Sequence, residues 1–455
     1  MDESRARALF QEGIDLFDAG TYEAAESRFR EALALSPGRP SVLTNLANTL
    51  LRQRKHAEAL ATAESVMKAT EPSEQTLLIA ASAHYELGHL DQALALLDRL
   101  VLIAPETPDV WVGRGSAYLG MGEFDQARDA FEQLAVVDPP HGHHQLALFK
   151  LKFGYSAAAW AEHEWRLRRP DAQPLVVQRA APSWHGGDIR GARVLLSHEQ
   201  GHGDTLQFVR YAPMVAALGA KVTLLVQTAV RRLIAESLPN IEVIDVLPPE
   251  RRFDLRASLM SLPYLLDLTT EGSIPRNRPY LAANAAEVER WRARIGSSGL
   301  KVGIAWQGNT AYPSDRQRSI PLSEYGPLAS VPGVRLISLQ AQGGLDQFDN
   351  LPPGLTVERL GPEVESNADG FRQLAAVMAC VDVIVTSDSA PAHLAGALGR
   401  PTWLALRWMP DWRWQLERMD SPWYPTMRLF RQKSRGDWAP VFAEIAAELR
   451  RLPNS

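Results

Sequence analysis

Residues 380–406 read CVDVIVTSDSAPAHLAGALGRPTWLAL, and the polar side chains in this stretch are crowded into one place. Ser387, Asp388 and Ser389 follow an apolar, β-branched run at 381–386, and His393 comes one helical turn later. Such a run makes a parallel strand buried on both faces. Residues 390–398 read as a short amphipathic helix with Pro391 in its first turn, ended by Gly399 and Pro401. Thr402–Leu406 is the next strand. A helix starting at the carboxyl edge of a parallel sheet aims its free N–H groups and positive dipole end at that edge, where phosphates bind. Most such turns bind nothing, but packing alone does not call for three small polar residues and a histidine. Ser387, Asp388, Ser389 and His393 therefore read as a phosphate or diphosphate site.

A second polar turn, Gly201-His202-Gly203-Asp204, falls between a strand at Arg193–Ser197 and a helix expected over 205–218. Two glycines allow a tight turn and close approach of a ligand to the backbone. The dinucleotide fingerprint needs a third glycine where this chain has Leu206. Asp204 is placed either to face a ligand or to cap the helix that follows it. Trp403, Trp408, Trp412 and Trp414, with Asp411 and Arg413 interleaved, suit stacking on a base or sugar, and equally suit packing between domains. His141-Gly142-His143-His144 reads as a loop. Three histidines without an acidic or cysteine partner fit a solvated surface better than a metal site.

Bulk properties narrow the class. A chain of 455 residues is long enough for two to four domains. Its net charge of −5 argues against general nucleic-acid binding. The single cysteine, Cys380, lies in an expected strand and reads as a small buried hydrophobe in a reducing compartment. The N-terminus shows no apolar leader, and no apolar run reaches the length of a membrane span. A cytoplasmic protein is expected.

The elements that position these residues come in two kinds. Stepping by 34 residues from Ala6 brings up Ala25, Ala59, Ala93 and Ala127. Pro37, Pro105 and Pro139 recur at the close of a unit, with Pro72 one place late. Gly20, Gly88 and Gly122 mark the turn inside a unit, and Arg54 stands there in the second. Four such units span 1–141, and Phe29 and Phe131 fill gaps between paired helices. A capping helix pair follows at 142–170, anchored by Trp160 and Trp165, and 171–191 reads as a Pro/Gly-rich linker. From Ala192 strands and helices alternate, as in parallel α/β sheets. Strands are expected at 221–226, 241–246, 301–306 and 334–339, and helices at 229–236 and Ala285–Ile295. Two Rossmann-like domains follow, 192–296 and 297–455, and a last helix at 437–452 is placed to fold back across their junction.

The repeats closely resemble the tetratricopeptide repeat. The α/β part resembles the GT-B glycosyltransferases, above all the heptosyltransferase-like family and its repeat-fused, O-GlcNAc-transferase-like relatives. Three motifs carry this: His198–Asp204 with Gln207 and Arg210, Trp306-Gln307-Gly308-Asn309 with Arg316 and Arg318, and the 387–395 stretch. The resemblance implies an N-terminal all-α solenoid followed by an α/β GT-B module with a cleft between its two domains. It implies transfer of a sugar from a nucleotide-sugar to a hydroxyl, with inversion and without metal or other cofactor. Asp204 matches the family's base, with His202 and then Glu199 as substitutes, and Glu199, Gln200, Gln207 and Arg210 line the acceptor side. Arg318, Arg316 and the 388–393 helix start face the donor diphosphate, although both arginines also suit a solvated loop. Trp306, Gln307 and Gln340 are candidates for base or ribose. The repeat groove would recruit a protein or peptide acceptor, flagellin or another surface protein by analogy, with a lipid or polysaccharide acceptor or a catalytically dead scaffold as rivals. The asparagine ladder of the relatives' groove is represented by Gln11, Asn45, Ile79 and Gly113, which puts the same capture mode in question. Ser421-Pro422-Trp423-Tyr424-Pro425 also resembles the relatives, with no role to assign.

Overall fold

Small residues at the helix crossings determine how the first third folds. The computed structural model describes all residues except 1, 170, 171, 173, 277, 310–314, 342, 367, 368 and 453–455. It divides into two compact units, Met1–Leu146 and Ala147–Ser455.

In the first unit, helix pairs follow one another: Asp2–Asp18 with Tyr22–Leu35, Pro40–Arg52 with His56–Ala69, Glu74–Leu87 with Leu90–Ile103, and Pro108–Met121 with Phe124–Val137. The four in-phase alanines are all fully buried, because any larger side chain there would hold the paired helices apart. Helix partners are matched by volume. A Cβ on Gly13 would overlap the Phe29 ring, and one on Gly115 would overlap the Phe131 ring. In the second unit of the array the same positions hold Ala47 and Ala63, and in the third Ala81 and Leu97. Gly20, Gly88 and Gly122 take φ of 75°, 84° and 82°, and Arg54 is forced to 62° in the equivalent turn. The histidine-rich segment is not a loop. Pro139 opens the helix Pro139–Phe153, using the position where a missing N–H costs nothing. Gly142 lets that helix lie on the backbone of Ala135, so closely that a Cβ would overlap it.

The second unit holds two parallel sheets. The first contains β1 (Arg193–Ser197), β2 (Lys221–Leu225), β3 (Glu242–Ile244) and β4 (Leu255–Ser258), in the order β3-β2-β1-β4. The second contains β5 (Leu300–Ala305), β6 (Val334–Ser338), β7 (Val357–Glu358), β8 (Val383–Ser387), β9 (Thr402–Leu406) and β10 (Met427–Arg431), in the order β10-β9-β8-β5-β6-β7. Strand order reverses beside β1 in one sheet and between β5 and β8 in the other. Ligands of open α/β sheets bind in crevices at such reversals. The polar turns at 198–204 and 387–389 leave the carboxyl ends of β1 and β8.

The helix Ala390–Ala397 forms where its capping pattern places it. The helix after β1 starts earlier than its apolar periodicity suggests, at His202, and runs to Phe208 before a 3-10 turn and a further helix, Ala212–Ala217. Its first turn therefore contains His202, Gly203 and Asp204. The Pro/Gly-rich 171–191 stretch is no free tether. It carries the helix Leu175–Ala180, and Val177, Ala180 and Ala181 pack with Leu195, Leu225 and Phe253 over the first sheet. The C-terminal helix Ala439–Leu449 stays with the second sheet: Phe442, Ile445 and Leu449 share a core with Val302, Val385 and Phe430.

Candidate functional site

The helices His202–Phe208 and Ala390–Ala397, one from each sheet, meet at their starts. Gly203 makes this possible, since a Cβ there would come within 2.8 Å of Cδ2 of His393. The two polar turns singled out in the sequence are thus brought face to face.

Asp204 sits in the first turn of its helix with both carboxylate oxygens engaged. Oδ2 accepts from the Gly201 backbone N–H at 2.8 Å, which is the capping role, and Oδ1 pairs with Nη2 of Arg413 from the second sheet's side. Burial pushes the Asp204 carboxyl up from the usual range, and the Arg413 cation opposes that shift. Arg413 also reaches Oε1 of Gln207 through Nε at 2.5 Å and Oδ1 of Asp411 through Nη1 at 2.9 Å. Burial works against the guanidinium charge, but Asp411 and Asp204 outweigh it and keep Arg413 firmly protonated.

Around this centre lie His393, Asp388 and Tyr424. The His393 ring stacks on Trp414 at 5.4 Å, and its Nδ1 lies 2.9 Å from the Tyr424 hydroxyl. Burial, reinforced by Arg413, holds its imidazole well below its ordinary pKa, so it is neutral at pH 7. Asp388 is raised by burial and by Asp411, and lowered by Arg318 and Arg407. Burial also works to raise Asp411, but Arg413 and Lys152 outweigh it and hold that carboxyl down. Arg318 is itself steered by Asp315, at 3.2 Å from Nε. The side chain of Arg316 lies outside the described residues. Ser389 donates to the Ser387 carbonyl at 3.3 Å rather than capping the helix it precedes. His202 is half-buried against Phe371, ring centroids 5.2 Å apart.

Several residues read as ligand contacts are committed to structure. Trp306 is 0% exposed, with its indole N–H on the Gly344 carbonyl and its ring edge-on to Phe348. Gln340 accepts from the backbone N–H groups of Trp306 and Gln307 and donates to the carbonyls of Gln307 and Gly343. It clamps the loop after β5 instead of presenting an amide to a base. Gln307 accepts from Gln347 at 2.9 Å. Glu199 is claimed by Arg166 from the capping segment, at 2.8 and 2.9 Å, and by Ser258. A buried guanidinium needs such a counter-charge, and Glu199 supplies it. Arg210 donates to the Gln207 and Trp423 carbonyls and to the Tyr280 hydroxyl, with its guanidinium 4.4 Å from the Tyr280 ring centre. Gln200 is exposed, and Gln207 is buried with Oε1 turned to Arg413.

The aromatic density after β9 divides. Trp412 and Trp423 pack with Trp160, Tyr155 and Phe208, while Trp408 is exposed. Residues 421–425 gain a function from this. Trp423 joins that cluster, and Tyr424 supports His393. Sequence reading passed over Arg413 and Asp411 as residues of the site. Their signal was the Asp-x-Arg spacing in the segment that follows β9, obscured by the tryptophans around it.

The sequence compares with known proteins as follows. The pattern of glycosyltransferase family 9 (heptosyltransferase) matches residues 368–405, which include β8 and the 387–393 turn. Tetratricopeptide repeat patterns match 80–148, and that of anaphase-promoting complex, cyclosome, subunit 3 matches 18–100. Protein FlbA of Caulobacter vibrioides (strain ATCC 19089 / CIP 103742 / CB 15) is 25% identical over 434 residues, covering 89% of this chain and 72% of that protein. Among solved structures, the thermophilic TPR protein TTC0263 of Thermus thermophilus is 23% identical, covering 36% of this chain and 92% of its own, with a TM-score of 0.32. A tetratricopeptide repeat protein from Parabacteroides merdae ATCC 43184 is 22% identical, covering 37% and 68%, with a TM-score of 0.31. No helix among the described residues is long and apolar enough to cross a membrane. The chain is therefore similar to repeat proteins over its first third and to family 9 glycosyltransferases around β8 and the helix after it.

Proposed function

We propose that this protein is a glycosyltransferase that moves a sugar from a nucleotide-sugar to a hydroxyl group of a protein acceptor recruited by its repeats. The observation that carries this is the meeting of the first turn that holds Asp204, at Gly203, with the polar start of the helix Ala390–Ala397 across the junction of two parallel sheets, the latter within the stretch that the family 9 pattern matches. In this reading the acceptor oxygen attacks the sugar carbon with inversion as its proton passes to Asp204, and the bond to the departing diphosphate breaks. Arg318 and the amides at the 388–393 helix start take up the charge that develops on the diphosphate, without a metal ion. His202, half-buried and held neutral by its surroundings, is the substitute base.

Two measurements test the proposal. A ligand that binds only the folded state raises the melting temperature, by an amount equivalent to about 2.7 kcal/mol at a hundredfold excess over Kd. One of UDP, GDP, ADP or CMP is expected to do so, and no shift with any of them would favour a repeat scaffold without transferase activity. Radiolabelled donor incubated with lysate is then expected to label protein. Label confined to lipid or polysaccharide would replace the acceptor while leaving the reaction class intact.

A further inference from the structure

Arg413 stands out because its guanidinium fills the space between Asp204 and Asp411 with every direction specified. Nη2 meets Asp204, Nε meets Gln207 Oε1 at 2.5 Å, and Nη1 meets Asp411 Oδ1 at 2.9 Å. The residue itself is pinned. Its backbone N–H donates to Asp411 at 3.0 Å, its carbonyl accepts from the Tyr155 hydroxyl at 3.1 Å, and its guanidinium lies 4.4 Å from the Trp412 ring centre. Gln207 is fully buried, and its Nε2 has no hydrogen-bond partner among the described residues. A costly buried amide is thus spent on aiming one guanidinium nitrogen.

We propose that Arg413 is the positioning residue for the base: it fixes the plane of the Asp204 carboxylate and keeps it ionised in a buried setting. This rests on the transferase reading above. The charged groups acting on Asp204 are Arg413 and Asp411 from the segment after β9 and Glu199 from the loop after β1, and Arg413 is itself faced by Asp388 from the turn after β8. Arg413 is the cation among them. Without it, burial and two neighbouring carboxylates all favour the protonated acid, which cannot accept a proton. With it, Oδ1 and Oδ2 are held from opposite sides, one by the second sheet's Arg413 and one by the Gly201 amide.

The test is the pH dependence of kcat in three variants of the full chain. Arg413→Gln is expected to move the acid limb upward by at least one pH unit, to lower kcat at least tenfold at pH 7, and to recover part of that loss at pH 9. Arg413→Lys keeps the charge and should keep the wild-type limb while losing rate through misalignment. Asp411→Asn removes a carboxylate that competes for Arg413, so its limb should shift the other way, and this variant covers the case in which Arg413→Gln does not fold. Equal losses at every pH, with the limb unmoved in all three, would make Arg413 a structural fastener and overturn the proposal. Isotope-edited infrared titration of the Asp204 carboxyl needs no turnover. If the wild type transfers no sugar, the transferase reading fails, whereas a carboxyl titration unchanged between wild type and Arg413→Gln refutes the positioning role by itself.

Discussion

At Asp204 a capping carboxylate and the proposed base occupy the same atoms, and one substitution separates the two duties. Asn retains an oxygen to accept the Gly201 N–H, and it is a good capping residue, yet it is a far weaker proton acceptor. Asp204→Asn should stay folded, since it keeps the cap and Arg413 keeps its pairing with Asp411, but should melt lower through the lost charge on Arg413 and lose about 10²–10⁴-fold in transfer rate; near-normal turnover would remove Asp204 from the mechanism. Glu199 should behave in the opposite way. Glu199→Gln leaves Arg166 buried with its strongest counter-charge gone, a loss of about 3–5 kcal/mol, so its main defect should appear in chemical denaturation, with the acid limb moved slightly downward by the loss of a carboxylate near Asp204. Lys152 gives a pH signature. Burial lowers its ammonium from 10.5 to about 8 in the folded chain, so between those values the unfolded chain holds more protons. Stability should rise with pH across that window, and the gap in melting temperature between wild type and Lys152→Met should close or reverse from pH 8 to 10. The roles of Glu199, Gln340 and Trp306 were not legible in the sequence, because their partners lie 33, 34 and 38 residues away. Motif spacing identifies that a residue is polar and near a strand end, not which neighbour has already claimed it.

Elements were more legible than contacts. The in-phase alanines, the turn glycines and the aromatic gap-fillers of the repeats are local in sequence, and the structure uses them as the pattern suggests. Arg54 is the instructive exception, an arginine held at φ 62° where its counterparts are glycine. Left-handed backbone costs a side-chain-bearing residue roughly 1–2 kcal/mol, partly offset by the greater freedom glycine has when unfolded. Arg54→Gly is therefore expected to raise the melting temperature of the repeat unit, a gain of up to about 1 kcal/mol, and a lower one would show that the arginine's own interactions outweigh the strain. The helix at His202 was misplaced by three residues because Gly and His carry no apolar period. Its start is set by the Asp204 carboxylate turning back to Gly201, a signal visible only once that aspartate is recognised as both first-turn residue and cap. β4, β7 and β10 escaped notice for a related reason. β4 and β7 are short, and arginine or glutamate interrupts all three.

At the scale of the molecule, the fold class followed from alternation of strands and helices, but the order of strands did not. Which strand lies beside β1 or β8 is decided by long-range packing, and it is that order which puts the crevices at the 198–204 and 387–389 turns. The C-terminal helix was mispositioned by the same limit, since its apolar stripe identifies a buried face without identifying the sheet beneath it. The volume matching within the repeats has a consequence for how such an array can be rearranged. Each first helix is keyed to its own second helix, Gly13 to Phe29 and Gly115 to Phe131, but Ala47 to Ala63. Exchanging leading helices between the outermost units would leave both locks turning, whereas the same exchange between the second and fourth would jam an alanine methyl against a phenyl ring at one crossing and leave a hollow at the other. Recombination among these repeats is thereby restricted to like-keyed partners, even though all of them share one period.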